Sequence, residues 1–162
     1  MKAAFTAGAL ALLLVAPSAR AQAPEGPPSP ELRVDAIVAN HRTSVQGGAG
    51  IQIPAGYYTR IGIDGAVGAD FTNGNQSSLS GRVDAVARFL FDPFRQSRWA
   101  LSAGGGVSLR AREGDIVRPY LLAVIDLEAP RTAGGLSPAI QLGLGGGIRL
   151  GLVVRWSDLR IR

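Results

Sequence analysis

The sequence predicts an all-β protein built from eight antiparallel strands, and three observations support this class. Apolar and polar residues alternate with a period of two from residue 31 onward. This pattern predicts β-strands, because successive side chains of a strand leave opposite faces. The clearest case is Ser80–Arg112, where two alternating stretches flank the turn Asp92–Gln96. Turn-forming Gly, Pro and Asn residues separate the alternating stretches, and no amphipathic helical pattern stands out among them.

Residues 1–21 are interpreted as a secretory signal peptide. Lys2 supplies a positive start, residues 3–17 are almost all apolar or small, and Ala19-Arg20-Ala21 offers the small residues that signal peptidase recognises. The apolar run is shorter than the ~20 residues of a spanning helix, which argues against a membrane anchor. Residues 22–30 contain four prolines, which lack the amide donor, and are predicted to be an extended segment outside any ladder.

Composition argues against several classes of function. Without the leader, 15 arginines stand against 12 acidic residues, and the arginines are scattered singly. Together with export, this small excess argues against a nucleic-acid partner. The chain has no cysteine and one histidine, so no disulfide can form and neither a transition-metal site nor a cofactor is expected.

The strands follow in chain order, and only the last pair is ambiguous. From Ile140 to Trp156 the alternation never breaks, so this stretch is either one long strand or two joined at Gly145–Gly147. Two strands give the even number that bacterial single-chain barrels require, and this division is preferred. Loops are predicted at Thr72–Ser78 and Ala129–Ser137. The first six predicted strands are Glu31–Asn40, Ser44–Ile53, Tyr57–Phe71, Ser80–Phe91, Trp99–Arg112 and Val117–Glu128.

Alternation alone does not decide whether the apolar face is buried or meets lipid. The predicted strands are longer than the ~5–6 residues of globular strands and suit the ~9–11 of a membrane strand. Aromatic residues gather at strand ends, with Tyr57, Phe91, Phe94 and Trp99 near one rim and Phe71 at the other. The polar face is rich in glycine, which lets a small lumen close. We therefore predict an antiparallel up-and-down transmembrane β-barrel over residues 31–157, with a tail at 158–162.

Charges of both signs occupy the predicted lumen face. Enclosed charges must pair or stay hydrated, so a network of ion pairs is expected. An eight-stranded lumen is just wide enough for side chains, which argues against a pore. The residues concerned are Arg33, Arg60, Arg82, Arg88, Arg98, Arg110, Arg118 and Arg149 with Asp35, Asp64, Asp84, Asp126 and Glu128.

The chain resembles the small outer-membrane β-barrel superfamily of Gram-negative-type bacteria. The resemblance implies a side-chain-filled barrel in the outer membrane, with outer-membrane lipid and the barrel-assembly machinery as partners and a structural or adhesion role. One feature departs from the pattern: such barrels usually end on an aromatic residue, whereas here Trp156 is the last aromatic. The likeness rests on the leader through Ala21, on Tyr57–Phe71, Ser80–Phe91, Trp99–Arg112 and Val117–Glu128, and on Gln141–Gly147.

Candidate catalytic residues are few. His41 is the one histidine and lies in a predicted loop, with Ser44 nearby and with Ser77 and Ser78 in another loop that could share its rim. This set is superficially similar to the His, Ser and Asp residues of the lipid A palmitoyltransferases, but it matches no motif of theirs. The interpretation preferred here is a solvated turn histidine.

Two further patterns have structural interpretations. Asp64, Asp84 and Asp126 share a face with arginines and form no calcium-loop motif, so we expect ion pairs. The glycine runs 104–106 and 145–147 lack the Lys-Ser/Thr and the helix of a phosphate loop, which favours packing or turn roles.

The sequence therefore predicts a non-enzymatic small outer-membrane β-barrel without catalytic, cofactor-binding or metal-binding residues. Its role is expected to be structural or to involve a surface partner bound through loops. An exported soluble β-sandwich or β-barrel that binds a partner is the alternative. A lipid-modifying enzyme at the barrel rim is the third interpretation.

Overall fold

A computed structural model describes residues 27–39, 42–72, 76–94 and 96–156. The predicted signal peptide, the tail at 158–162 and His41 lie outside these ranges. None of the described residues forms a helix that is long and apolar enough to cross a membrane. The strands are β1 (Ser29–Ala39), β2 (Arg42–Pro54), β3 (Thr59–Thr72), β4 (Gln76–Leu90), β5 (Ala100–Arg112), β6 (Arg118–Glu128), β7 (Leu136–Leu144) and β8 (Ile148–Trp156).

The strands form one closed barrel in chain order. Every strand pairs antiparallel with its neighbours, and β8 pairs with β1 over Glu31–Val38 and Ile148–Arg155. The division at Gly145–Gly147 is confirmed, because β7 and β8 form a hairpin across it. Gly146 and Gly147 have φ values of 67° and 148°, which L side chains rarely adopt, so this turn requires glycine.

The strand register defines the barrel's width. A path around the barrel that begins at Val38 returns to β1 at the position opposite Ile53, which is Pro28, ten residues away. At ~3.4 Å per residue and ~4.8 Å between strands, a shear of ten over eight strands gives a tilt of about 41° and a backbone radius of about 8 Å. The path runs Val38, Ile148, Leu144, Ala123, Gly105, Ala87, Ile61 and Ile53.

The apolar faces point outward and the polar faces point into the lumen. Of the large apolar side chains in the described ranges, 32 are exposed, whereas seven apolar residues are buried. Leu101, Val107 and Ile125 are among the exposed ones, at 43%, 48% and 53%. The residues buried inside are mainly Arg, Asp, Glu, Gln and Ser. The sequence-based orientation of the two faces is therefore confirmed.

Inward-facing glycines make room for neighbouring strands and for large side chains. A Cβ atom added to Gly106 would lie 1.9 Å from the carbonyl oxygen of Ala85 on β4. One added to Gly62 would lie 2.3 Å from Nη1 of Arg88. By contrast, a Cβ on the outward Gly105 would meet nothing closer than 3.5 Å. The predicted packing role of the glycine-rich lumen face is thus borne out.

Several predicted strand boundaries were wrong by a few residues. β4 begins at Gln76 instead of Ser80, because Ser77 and Ser78 pair with the end of β3, and the loop expected at 72–78 is shorter. β7 begins at Leu136, within the expected loop. β1 begins at Ser29, so Pro30 lies in the ladder. It pairs with Ile51 of β2, beyond the part of β1 that pairs with β8, where a missing amide is tolerated.

The two ends of the barrel differ in their connections. The terminal rim, where β1 starts and β8 ends, carries residues 55–58, 91–99 and 129–135. Among the described residues, the far rim carries the turns 113–117 and 145–147, which are shorter than the two longest terminal-rim connections, 91–99 and 129–135. The β6–β7 ladder starts at Ala123, so Arg118–Leu122 extend beyond the end of β7. The far rim is therefore lower at the β7–β8 hairpin than at the start of β6.

Candidate functional site

The centre of the lumen holds a cluster of five charged side chains. Arg33 forms a bidentate ion pair with Asp35, donating from Nε at 2.8 Å and from Nη2 at 3.1 Å. Its Nη1 lies 2.7 Å from Asp64. Arg82 donates from Nε to Asp84 at 3.0 Å and also contacts Asp35. The carboxylates of Asp35 and Asp84 are 0% exposed, so their charge is balanced by arginine and not by water.

Neutral amides and a further arginine extend this cluster. Arg149 lies 2.5 Å from Asp84 through Nη1. Gln46 accepts a hydrogen bond from Arg82 at 2.5 Å and donates to Ser80 at 2.8 Å. Such amides satisfy the guanidinium donors that the carboxylates do not reach.

A second cluster lies toward the terminal rim. Arg155 contacts Glu31 at 3.1 Å and both Glu128 and Asp126 at 3.4 Å, while Nε of Arg88 lies 2.8 Å from Asp126. Gln141 donates to Asp126 at 2.7 Å and accepts from Arg33, which joins this cluster to the central one. The predicted ion pairing of Asp64, Asp84 and Asp126 is therefore present.

The lumen charges nearly cancel. Within the described ranges, seven carboxylates and eight arginines line the lumen, not counting the rim residues Arg42, Asp115 and Arg118. Val86, Leu122 and Val124 form a small apolar cluster among them. With the central side chains at or below 4% exposure, the middle of the barrel is filled with side chains.

At the far rim the lumen opens into a cavity of about 420 Å³ with a polar lining, here called the arginine cup. Its charged residues are Arg42, Arg110, Arg112, Arg118 and Asp115. Its remaining lining residues are Ala39, Ser44, Ala111, Ile116, Tyr120 and Gly146.

Asp70 lies beneath the cup and is 1% exposed. Arg112 donates to it from Nε at 2.7 Å and Arg110 from Nη2 at 3.2 Å, while Arg110 also contacts Ser44. One buried carboxylate thus anchors two arginines whose side chains remain 13% and 22% exposed.

Asp115 and Arg118 form the outer edge of the cup. Their side chains lie 3.3 Å apart, and they are 58% exposed for Arg118 and 34% for Asp115. The backbone amide of Ile116 donates to Asp115 at 2.9 Å, and this bond, together with nearby Arg118, holds the pKa of Asp115 below its usual range. Asp115 is therefore ionised at neutral pH.

The predicted catalytic set is not assembled among the described residues. Ser44 faces the lumen and accepts a hydrogen bond from Arg110. Ser77 and Ser78 lie within β4, where they pair with Phe71 and Asp70, and not in a loop. His41 lies outside the described ranges. The described residues contain no group of three or more His, Cys, Asp or Glu side chains that could hold a metal ion.

Two predicted lumen arginines lie elsewhere. Arg98 is exposed in the 91–99 connection, because β5 begins only at Ala100. Arg118 starts β6 at the far rim, and its side chain is 58% exposed. Conversely, the predicted set omitted Glu31, which shares the inward face of Arg33 and Asp35 at a spacing of two. The predicted set also omitted Asp70, Arg112 and Arg155, which form ion pairs in the lumen or at its far mouth.

No protein-family model matches the sequence, and no curated protein sequence matches it. The crystal structure of Neisserial surface protein A (NspA) is similar, with a TM-score of 0.51 and 15% identity over 80% of this chain and 95% of that chain. The solution NMR structure of the de novo designed TMB2.3 has a TM-score of 0.46 and 10% identity, over 83% and 97%. The closed topology and the likeness to NspA confirm the predicted fold, an eight-stranded antiparallel up-and-down β-barrel.

Proposed function

We propose that this protein is a non-enzymatic barrel of a bacterial outer membrane that acts as a structural element and does not conduct. The observation that carries the proposal is the inverted burial pattern, with apolar side chains outside and a closed charged network inside.

The outer wall supports a membrane location. Along β3, outward side chains run from Ile61 to Phe71, which at this tilt spans about 26 Å along the barrel axis. The apolar band of outer-membrane barrels is ~25 Å tall. A soluble monomer rarely exposes more than a few hundred Å² of contiguous apolar surface, so a belt around the whole barrel favours lipid over water.

Aromatic side chains mark the end of this belt at the terminal rim. Tyr58 stacks on Phe89 with ring centroids 5.7 Å apart, and Phe89 meets Phe91 edge-on at 5.8 Å. Phe94 lies 6.2 Å from Tyr57. Aromatic girdles are expected at the boundary between headgroups and acyl chains, where the amphipathic rings of tyrosine are favoured.

The lumen supports a non-conducting role. A water-filled channel requires a continuous hydrated path, whereas Asp35, Gln46, Asp84 and Gln141 are 0% exposed at mid-height. The described far-rim turns, 113–117 and 145–147, are short, which favours a structural role over loop-mediated binding at that rim.

Fractionation and reconstitution test the proposal separately. We expect the protein in the outer-membrane fraction, soluble only in detergent, with gel migration that changes on boiling. Recovery from the periplasm in plain buffer would contradict the membrane location. In planar bilayers we expect no single-channel steps, and reproducible steps from the folded protein would contradict the non-conducting role.

A further inference from the structure

We propose that the arginine cup binds a phosphate-type anion. Four arginines from β2, β5 and β6 surround a cavity of about 420 Å³, which is within the ~300–1,000 Å³ range of ligand sites. Guanidinium groups offer paired donors that match phosphate oxygens. The chemistry is that of a phosphomonoester or pyrophosphate group, whether free or borne by a lipid.

Charge at the cup is not balanced as it is in the lumen. The four arginines face two carboxylates, the buried Asp70 and the exposed Asp115. Glu113, on the adjoining turn, lies 3.4 Å from the backbone amide of Leu79, an outward-facing residue. Asp70 and Asp115 therefore leave two positive charges of the cup without an offsetting carboxylate in its lining or beneath it.

The cup is also pre-organised. Asp70 fixes the guanidinium groups of Arg110 and Arg112 from below, so binding an anion above them costs little further ordering of these side chains. Arg110 has a buried Nε with no hydrogen-bond partner in the described part of the chain. Arg42 and Arg118 lie at the rim and are exposed, so they can close onto the ligand.

The position of the cup suits a lipid phosphate. Ile116 and Val117, next to Arg118, are 76% and 58% exposed, and Phe71 lies outward at the same rim. Apolar and aromatic side chains beside arginines are expected where acyl chains give way to headgroups. A lipid phosphate at this level lies within reach of the cup.

The test uses the full barrel folded in zwitterionic micelles, titrated with inorganic phosphate and with pyrophosphate against chloride at equal ionic strength. We expect saturable calorimetric binding of pyrophosphate. A matched arm uses phosphatidylcholine vesicles with and without phosphatidic acid, a lipid phosphomonoester. Protection from urea unfolding only in phosphatidic acid identifies a headgroup ligand, and binding of pyrophosphate in micelles identifies a free one. Absence of both overturns the proposal.

Variants of the rim test the site itself. The double variant R42Q/R118Q should weaken binding at least tenfold without changing heat-modifiable migration. The control R98Q/R131Q removes the same charge from exposed positions at the terminal rim and should leave binding unchanged. Equal weakening by both variants would mean non-specific charge attraction and would overturn the proposal.

Asp115→Asn offers a gain-of-affinity test. The carboxylate competes with the anion for Arg118 and repels it, so its neutralisation should tighten binding several-fold. A damaged site does not bind more tightly. Unchanged or weaker binding by this variant would contradict the proposed geometry.

Discussion

Asp84→Asn should be among the most destabilising conservative changes in the barrel. Asp84 lies 2.5 Å from Arg149 and 3.0 Å from Arg82. Arg82 keeps its contacts with Asp35 and Gln46, but Asp84 is the acidic partner found for Arg149 among the described residues. The side chain of Arg149 is 2% exposed, so the variant leaves a cation without a counter-charge and away from water.

The expected magnitude follows from that geometry. Two charges ~3 Å apart at an effective dielectric constant of ~20 attract by roughly 5 kcal/mol. Breaking a buried pair costs ~3–5 kcal/mol in measured cases. Because asparagine still accepts one hydrogen bond from Arg149, worth about 1 kcal/mol, we expect the free energy of unfolding to fall by about 3–4 kcal/mol. A typical domain has only ~5–15 kcal/mol in all.

The assay is urea unfolding in vesicles of phosphatidylcholine alone, which carry no phosphomonoester, followed by tryptophan emission and by heat-modifiable migration. The double variant D84N/R149M removes the stranded cation and keeps its volume, so it should recover most of the loss. Asp115→Asn, at an exposed pair, is the control and should not change the unfolding midpoint. A loss below about 1 kcal/mol for D84N, or a double variant no better than the single one, would refute the reasoning.

Three further predictions concern the wall of the barrel. Gly106→Ala should lower the free energy of unfolding by about 1–3 kcal/mol, because its Cβ would meet the Ala85 carbonyl at 1.9 Å, while Gly105→Ala should be near neutral; equal effects in urea unfolding would contradict this. Amide exchange should be faster in Arg118–Leu122 than in the middle of β3, since these residues lack β7 partners, and uniform protection would contradict it. Phe89→Ala should lower the free energy of unfolding by about 0.5–1.5 kcal/mol more than the loss of buried apolar area alone explains, because its ring contacts Tyr58 and Phe91. A double-mutant cycle with Tyr58 measures this coupling energy.

Strand order and side-chain direction were predictable because both follow from local periodicity. A period of two places Arg33 and Asp35 on one face whatever the neighbouring strand is. The bounds of β4 were less predictable, since its first residues are polar and are strands only because Thr72 pairs with Gln76. Pairing between distant residues decided that boundary, and the composition of the segment gave no sign of it.

The arginine cup was not predictable from the sequence. Arg42 and Arg110 lie 68 positions apart, and they line one cavity only because the closed register brings the ends of β2 and β5 to the same rim. The sequence pattern assigned Arg110 and Arg118 to the lumen face and placed Arg118 near the start of its strand, but it did not show that this start lies at the same rim as Arg42. The height of a side chain along the barrel axis depends on where its strand starts. The alternation of apolar and polar residues does not fix that start.

The buried network also links folding to closure of the barrel. Arg155 on β8 meets Glu31 on β1, and Arg149 on β8 meets Asp84 on β4, so these two buried lumen pairs form only when the last strand joins the first half of the chain. Before closure these charges are hydrated and contribute little. After closure, loss of a partner such as Asp84 leaves an uncompensated charge on Arg149 in a lumen about 8 Å in backbone radius. Apolar side chains can replace one another on the outer belt. In the lumen, by contrast, the charges pair only when the strands adopt one register. We infer that the apolar wall favours the membrane and that the charged interior selects this eight-stranded arrangement.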